Sequence, residues 1–292
     1  MMSHNIRSAL VIGAGTMGAG IAEVLAKSSI QTHLFDVSDE AVEAGLERIK
    51  TSLAKAMASD KITNDARLAI LDRITLTTDQ EVAKDVDLVI EAAPEKLELK
   101  QKIFKALSEN NSTAILASNT SSLSVTAIAE SATNPERVIG LHFFNPVPIM
   151  PLLEIVKTPS TSNEVIERCE ELARDIGKSA ILVNDSPGFA SSRLGLVLGL
   201  EAIRMVESGV ASPEDIDRAM ELGYRHPMGP LKLTDWVGLD VRLAIAEHLE
   251  REVGPQFAVP PLLRKMVEEG KLGRKTNEGF YLWEGKTAKP KK

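Results

Sequence analysis

Two side chains near the middle of the chain have the types and spacing that acid–base chemistry needs. His142 closes the apolar run Val138-Ile139-Gly140-Leu141 and enters a turn rich in proline (Pro146, Pro148, Pro151). Glu154 stands inside the otherwise apolar run Leu152-Leu153-Glu154-Ile155-Val156. A carboxylate is costly to bury unless it is paired. The intervening turn lets the two runs lie side by side as strands, which makes His142 and Glu154 partners. A carboxylate on one ring nitrogen fixes the tautomer and raises the basicity of the imidazole, leaving the other nitrogen to act on a substrate proton. The competing reading of the pair is a structural ion pair.

A second constellation lies at the start. Ser8 to Ile12 reads as a buried strand running into Gly13-Ala14-Gly15-Thr16-Met17-Gly18 and then into a helix from Ala19 to Lys27. This is G-x-G-x-x-G in the context that gives it meaning. Gly13 allows a tight turn, Gly15 lets a pyrophosphate approach the backbone, and Gly18 brings the helix close to the sheet. The helix N-terminus then faces the phosphates. Gln31 to Asp36 reads as the next strand, ending in an acid about 20 residues on, as the dinucleotide fingerprint requires. Asp36 is placed to accept hydrogen bonds from ribose hydroxyls, and Val37 offers nothing to neutralise a 2′-phosphate, so the cofactor expected is NAD and not NADP. The competing reading of Asp36 is a turn or capping acid.

These residues need a scaffold, and the chain supplies one. Its 292 residues allow one large or two ordinary domains. The net charge of −7 speaks against a nucleic-acid partner. No apolar run reaches membrane-spanning length. Met1 to Asn5 lack the regions of a signal peptide. Cys169 is the one cysteine, in a helical pattern with Ile166, Leu172 and Ala173, so neither a disulfide nor a cysteine metal cluster is expected and a cytoplasmic location fits. Helices are expected over Asp39–Ala58, Asn64–Leu71, Lys96–Ser108 and Asn163–Ile176, and strands over Arg73–Thr77, Asp87–Ala92, Ala114–Ser118 and Ala180–Val183. Arg48, Lys50 and Lys55 on the first helix read as a solvated face or as contacts to an anionic substrate. The Ala93-Pro94-Glu95 turn is expected beside the dinucleotide. Ser121 and Ser122 follow a strand, where they could simply cap the next helix. Beyond Asp185 strand patterns give way to helices: Phe189–Ser208, one starting at Ser212-Pro213, then Gly229–Glu252 and Pro260–Glu269. The expected architecture is an α/β Rossmann-like NAD-binding domain over residues 1–185, an all-α C-terminal domain over 186–285, and a frayed tail over 286–292. Apolar faces on more than one side of the longest C-terminal helix suggest a homodimer formed through that domain.

Taken together the motifs resemble the L-3-hydroxyacyl-CoA dehydrogenases, in particular their short single-function 3-hydroxybutyryl-CoA type. The resemblance runs nearly the whole length. It rests on Gly13 to Gly18, Ile90-Glu91-Ala92-Ala93-Pro94-Glu95, Ala117-Ser118-Asn119-Thr120-Ser121-Ser122, and His142-Phe143-Phe144-Asn145-Pro146 with Glu154. It continues through Asp185-Ser186-Pro187-Gly188-Phe189, His226-Pro227-Met228-Gly229-Pro230, Val237-Gly238-Leu239-Asp240, Gly273-Arg274-Lys275-Thr276 and Gly279-Phe280-Tyr281. It implies reversible oxidation of an (S)-3-hydroxyacyl-CoA to the 3-ketoacyl-CoA with NAD. It also implies roles: His142 as general base, Glu154 as its orienting partner, and Ser121 as donor to the substrate 3-oxygen beside the nicotinamide. Asp36, Glu95, Lys100, Asn145 and Lys275 resemble NAD-contacting positions, and Asn145 also faces substrate. The stretch Pro227 to Pro230 and Trp236 read as packing and turn.

Two positions depart from the family pattern. Ser192 precedes Arg193 where asparagine is usual; serine is shorter and has a single hydroxyl, which weakens its expected contact with the substrate oxygens. Pro151 stands where a basic residue is common. The alternatives are a dehydrogenase of a CoA-free hydroxy acid, of the gulonate or carnitine type, and a non-catalytic NAD-binding protein.

Overall fold

The computed structural model describes residues 6–291, so the reading of Met1 to Asn5 lies outside the described residues. The chain divides between Ser186 and Pro187 into two units.

The first unit is built on an eight-stranded sheet in the order β3-β2-β1-β4-β5-β6-β7-β8. The strands are β1 (Ser8–Ile12), β2 (Gln31–Phe35), β3 (Ile74–Thr77), β4 (Leu88–Glu91), β5 (Ile115–Ser118), β6 (Val138–Phe143), β7 (Leu152–Lys157) and β8 (Ser179–Asn184). From β3 to β6 all pairings are parallel. β7 then runs antiparallel to β6, and β8 parallel to β7. β1, β4, β5 and β6 carry apolar side chains on both faces, as strands covered by helices on each side do. The helices are α1 (Thr16–Lys27), α2 (Asp39–Ala58), α3 (Asn64–Asp72), α4 (Leu97–Asn110), α5 (Val125–Ala129) and α6 (Asn163–Asp175). Their starts follow capping chemistry: Ser38, Thr63, Ser124 and Ser162 each accept the amide three residues on. The cap before α5 is therefore Ser124, and neither Ser121 nor Ser122 performs it. Cys169 is fully buried, and burial pushes its thiol up to about 12.

The strand order reverses direction between β1 and β4, the switch point where open α/β sheets bind ligands. Gly13 turns off β1 with φ +98°, and its amide donates to the Phe35 carbonyl at 2.8 Å. A Cβ on Gly18 would lie 1.7 Å from the Gly13 carbonyl oxygen, so α1 sits against its own entry turn only because this residue has no side chain. Gly15 is different: a Cβ there would have nothing within 4 Å. Its hydrogen keeps open space for a ligand.

The second unit is helical: α7 (Ser191–Glu207), α8 (Pro213–Arg218), α9 (Pro230–Val237), α10 (Leu239–Glu252) and α11 (Pro261–Glu268). Two expectations are corrected. The stretch Gly229–Glu252 is two helices, because Gly238 takes φ +107° between α9 and α10, outside helical space. The stretch 286–292 is not a frayed tail over its described length: β10 (Thr287–Lys289) pairs antiparallel with β9 (Leu282–Glu284) around Gly285 at φ +61°, a short hairpin that ends the helical C-terminal unit. Thr287 and Lys289 stand on the exposed side of β10 and Ala288 on the half-buried side, an alternation too short to mark a strand in the sequence. Lys292 lies outside the described residues.

The two glycines of the loop predict separable effects. Gly18→Ala, which forces backbone apart, is expected to cost at least about 2 kcal/mol of unfolding free energy in denaturant titration. Gly15→Ala is expected to leave stability within about 0.5 kcal/mol while weakening NAD binding in calorimetry.

Candidate active site

Five segments end at the same edge of the sheet. Gly13 to Met17 leave β1, Asp36 leaves β2, Ala92 to Glu95 leave β4, Asn119 to Ser121 leave β5, and His142 lies one residue from the end of β6. Two cavities open there and share Ala92 and Ala93 as lining. The larger, about 580 Å³, is lined by Gly13, Gly15, Asp36, Val37 and the apolar face of α4 (Leu99, Ile103, Ala106). The smaller, about 360 Å³, is lined by Met17, Glu95, Lys100, Asn119, Ser121, His142, Phe143, Phe144 and Asn145.

The first cavity has the chemistry of a nucleoside site. Asp36 Oδ2 accepts the Ala14 amide at 2.8 Å and Oδ1 accepts the Val37 amide at 2.7 Å, which fixes the carboxylate at the rim. Val37 is 84% exposed, and among the described residues that line this cavity none is a cation. Arg48 is exposed, and its Nη1 donates to the Ala14 carbonyl at 3.3 Å and so braces the glycine loop, while Lys50 pairs with Glu47.

The second cavity holds the titratable groups. β6 and β7 pair with His142 directly opposite Glu154. Glu154 is fully buried, and its Oε2 lies 2.7 Å from His142 Nδ1. The Phe144 ring is tilted against the imidazole with centroids 4.5 Å apart. The edge of the site is fixed from β5: the Phe143 amide donates to Asn119 Oδ1 at 2.9 Å, and the Asn119 amide to the Glu91 carbonyl at 2.8 Å.

Beneath the cavity lies a charge cluster that sequence reasoning missed. Lys100 is 1% exposed, and its Nζ donates to Glu91 at 2.6 Å and pairs with Glu95 at 3.3 Å. Glu91 also accepts the Ala93 amide at 2.6 Å and the Ser118 hydroxyl at 2.7 Å. Glu95 accepts the Thr120 hydroxyl at 2.5 Å and the Ser121 amide at 3.0 Å. Burial pushes the Glu95 carboxyl up, but Thr120, Lys100 and the Ser121 amide outweigh it and hold the group below its ordinary 4.5. Glu91 gives the same kind of signal as Glu154, an acid in an otherwise apolar strand, and Lys100 nine residues later is its partner.

Two candidate residues lie in the second unit. Ser192 is half-buried in the first turn of α7. Lys275 sits in the turn before β9, with its Nζ on the Asp240 carboxylate. Asn145 is exposed at the lip of the smaller cavity.

A sheet with this strand order, a glycine loop with an open Gly15 and an acid at the end of the second strand are the marks of an NAD-dependent oxidoreductase class. Comparison with known proteins narrows it. Residues 8–186 match the family model described as 3-hydroxyacyl-CoA dehydrogenase, NAD binding domain, and residues 188–283 the one described as 3-hydroxyacyl-CoA dehydrogenase, C-terminal domain. The chain is 43% identical over 286 residues to a 3-hydroxybutyryl-CoA dehydrogenase of Mycobacterium tuberculosis, covering 97% of this chain and 100% of the other. The crystal structure of (S)-3-hydroxybutyryl-CoA dehydrogenase from Ralstonia eutropha superposes with a TM-score of 0.92 at 41% identity, covering 96% and 100% of the two chains. A diketoreductase with dual catalysis of dicarbonyl compounds aligns with a TM-score of 0.85 at 29% identity, covering 95% of this chain and 99% of that one. The chain belongs to the 3-hydroxyacyl-CoA dehydrogenase family, and its cofactor is NAD.

Because its folded value is depressed, Glu95 adds stability above pH 4.5 that is lost as the pH falls through that lower value. Glu95→Gln is therefore expected to flatten the fall in melting temperature between about pH 5 and about pH 3. An acid limb as steep as that of the unaltered protein would show that the carboxylate is not held as described.

Proposed function

We propose that the protein interconverts short-chain (S)-3-hydroxyacyl-CoA and 3-ketoacyl-CoA, with 3-hydroxybutyryl-CoA and acetoacetyl-CoA as the representative pair, and that His142 is the general base. The observation that carries this reading is the His142–Glu154 pair at 2.7 Å in the cavity that Ser121 also lines.

The glycine-loop amides hold the pyrophosphate, Asp36 the ribose hydroxyls, and the groups around Glu95, Lys100, Ser121 and Asn145 the far end of the dinucleotide; Lys275 is assigned to it by family resemblance. When bound, NAD supplies the hydride acceptor. His142 Nε2, the ring nitrogen away from Glu154, takes the proton of the substrate 3-hydroxyl in oxidation and returns it in reduction. Glu154 keeps Nδ1 protonated and offsets the imidazolium charge as it forms, so the buried carboxylate acts on the reaction through the ring. The Ser121 hydroxyl donates to the 3-oxygen and holds it against Nε2. Phe144 lies tilted against the imidazole and limits its freedom to turn. Ser192 is assigned to a substrate oxygen by family resemblance.

Leu194 and Leu198 on α7 and Val241 on α10 leave apolar side chains 64%, 40% and 42% exposed, and a second copy of the chain is proposed to cover this helical unit. A single buried thiol fits the reducing conditions of a cytoplasm. Among the described residues no helix is long and apolar enough to cross a membrane.

The likeness to a diketoreductase keeps a CoA-free substrate as the second reading. NADH oxidation measured in parallel with acetoacetyl-CoA and with free acetoacetate separates the two. Fast turnover of the CoA ester alone is expected, with NADPH a poor substitute; turnover of free acetoacetate alone would favour the second reading. His142→Ala is expected to lower kcat about 100-fold or more with NADH binding retained. Unchanged turnover would remove the histidine from the reaction.

A further inference from the structure

Asp185 opens the motif Asp185 to Phe189 and takes no part in the chemistry proposed above. It follows β8 directly, and its amide donates to the Lys157 carbonyl at 2.9 Å, which continues the pairing of β7 with β8 by one residue. The sheet therefore fixes its backbone. Its side chain reaches another element. Oδ2 accepts the Ser124 hydroxyl and the Thr126 amide, each at 2.8 Å, from residues 61 and 59 positions earlier in the chain. Oδ1 is buried without a hydrogen bond, so the tie runs through one oxygen.

Ser124 caps α5, and Thr126 lies in its first turn. The segment before them, Asn119 to Leu123, leaves β5 and carries Ser121. Its first half hangs on Glu95, which takes the Thr120 hydroxyl and the Ser121 and Ser122 amides. The Leu123 amide turns back onto the Thr120 hydroxyl at 2.9 Å. Held only there, the segment would be free to swing about Thr120. Asp185 holds its other end: Ser124 donates to the carboxylate and at the same time accepts the Ala127 amide at 3.1 Å, which starts α5. The helix in turn is seated on β6. A Cβ on Gly140 would lie 3.0 Å from Val125 Cγ2, so α5 meets the strand where the strand has no side chain. Gly140 is two residues before His142. The place of Ser121 relative to His142 is thus set by two carboxylates, Glu95 at one end of the segment and Asp185 at the other.

We infer that Asp185 is a positioning residue for the reaction: by holding Ser124 and Thr126 it fixes the segment from Asn119 to Leu123 and keeps the Ser121 hydroxyl on the oxygen it shares with His142. This rests on the roles proposed above for Ser121 and His142. Asp185 acts through the loop and not on the reacting atoms. Misplacing a reacting group by about 1 Å from a distance costs up to about 100-fold in rate, so a loosened loop shows in turnover.

The test is kcat and KM for NADH oxidation by acetoacetyl-CoA in Asp185→Ala, Asp185→Asn, Ser121→Ala and the double variant Ser121→Ala with Asp185→Ala. Asp185→Ala is expected to lower kcat about tenfold, with KM for NADH changed by less than about twofold. Asp185→Asn is expected to recover most of that loss, because a carboxamide oxygen accepts the same two donors. Ser121→Ala lowers kcat, and in that background Asp185→Ala is expected to cost no more than about twofold further, since the hydroxyl it positions is gone. A tie that serves folding alone costs the same factor in both backgrounds; that result overturns the inference and leaves the functional reading in place. So does an Asp185→Ala enzyme with the kcat of the unaltered protein. Should Asp185→Ala not fold, Ser124→Ala cuts the same tie from the other side and is measured in the same two backgrounds, with the same outcomes deciding. If the unaltered protein does not turn over acetoacetyl-CoA, or Ser121→Ala keeps its full kcat, the reading of the site falls and this inference with it.

Discussion

Lys100 lies in α4 with its ammonium 2.6 Å from Glu91 and 3.3 Å from Glu95, and the shape of the crevice follows from that charge. A cation and a carboxylate removed from water gain from each other only when the remaining donors and acceptors are also met. Here they are met by backbone and hydroxyls of the two turns that form the site. Glu91 takes the Ala93 amide and Ser118 hydroxyl, and Glu95 takes Thr120 and the Ser121 amide. The turn after β4 and the turn after β5 are thus bonded to one ionic cluster. The Ser121 hydroxyl is presented from a backbone whose own amide is fixed to Glu95. The Asn119 side chain carries the same order on to Phe143, the neighbour of His142. Lys100 was assigned by resemblance to the dinucleotide; its geometry also makes it the support on which the surrounding residues rest.

The second constraint is strand register. In a purely parallel sheet the strand after β6 would arrive by a long crossover, and no nearby residue could stand opposite His142. The short proline-rich turn reverses the chain instead, and the antiparallel register sets Glu154 against His142. A slip of one residue would turn Glu154 to the other face and leave a buried carboxylate without its histidine. The stable register and the paired state of the imidazole are therefore the same condition, and selection for folding at this point also selects for the tautomer.

What the sequence made legible had local signals: glycines at a strand end, an acid two turns of chain later, a polar residue alone in an apolar strand. The parts it concealed depend on partners distant along the chain. Ser121 and Ser122 look like caps until Glu95 arrives to take their amides. Gly238 inside a run of helix formers gives no sign that it will adopt φ +107°. The C-terminal motifs read as turn and packing, and their cause is two buried carboxylates. Asp235 accepts the Phe280 and Tyr281 amides and the Trp283 indole, and Asp217 accepts the Leu231 and Lys232 amides and the Tyr281 hydroxyl. Burial pushes both carboxyls up, against the pull of these donors. A Cβ on Gly229 would fall 2.3 Å from Asp217, and one on Gly279 2.1 Å from Asp235, so both glycines are required by the acids they adjoin. Spacing alone shows neither contact.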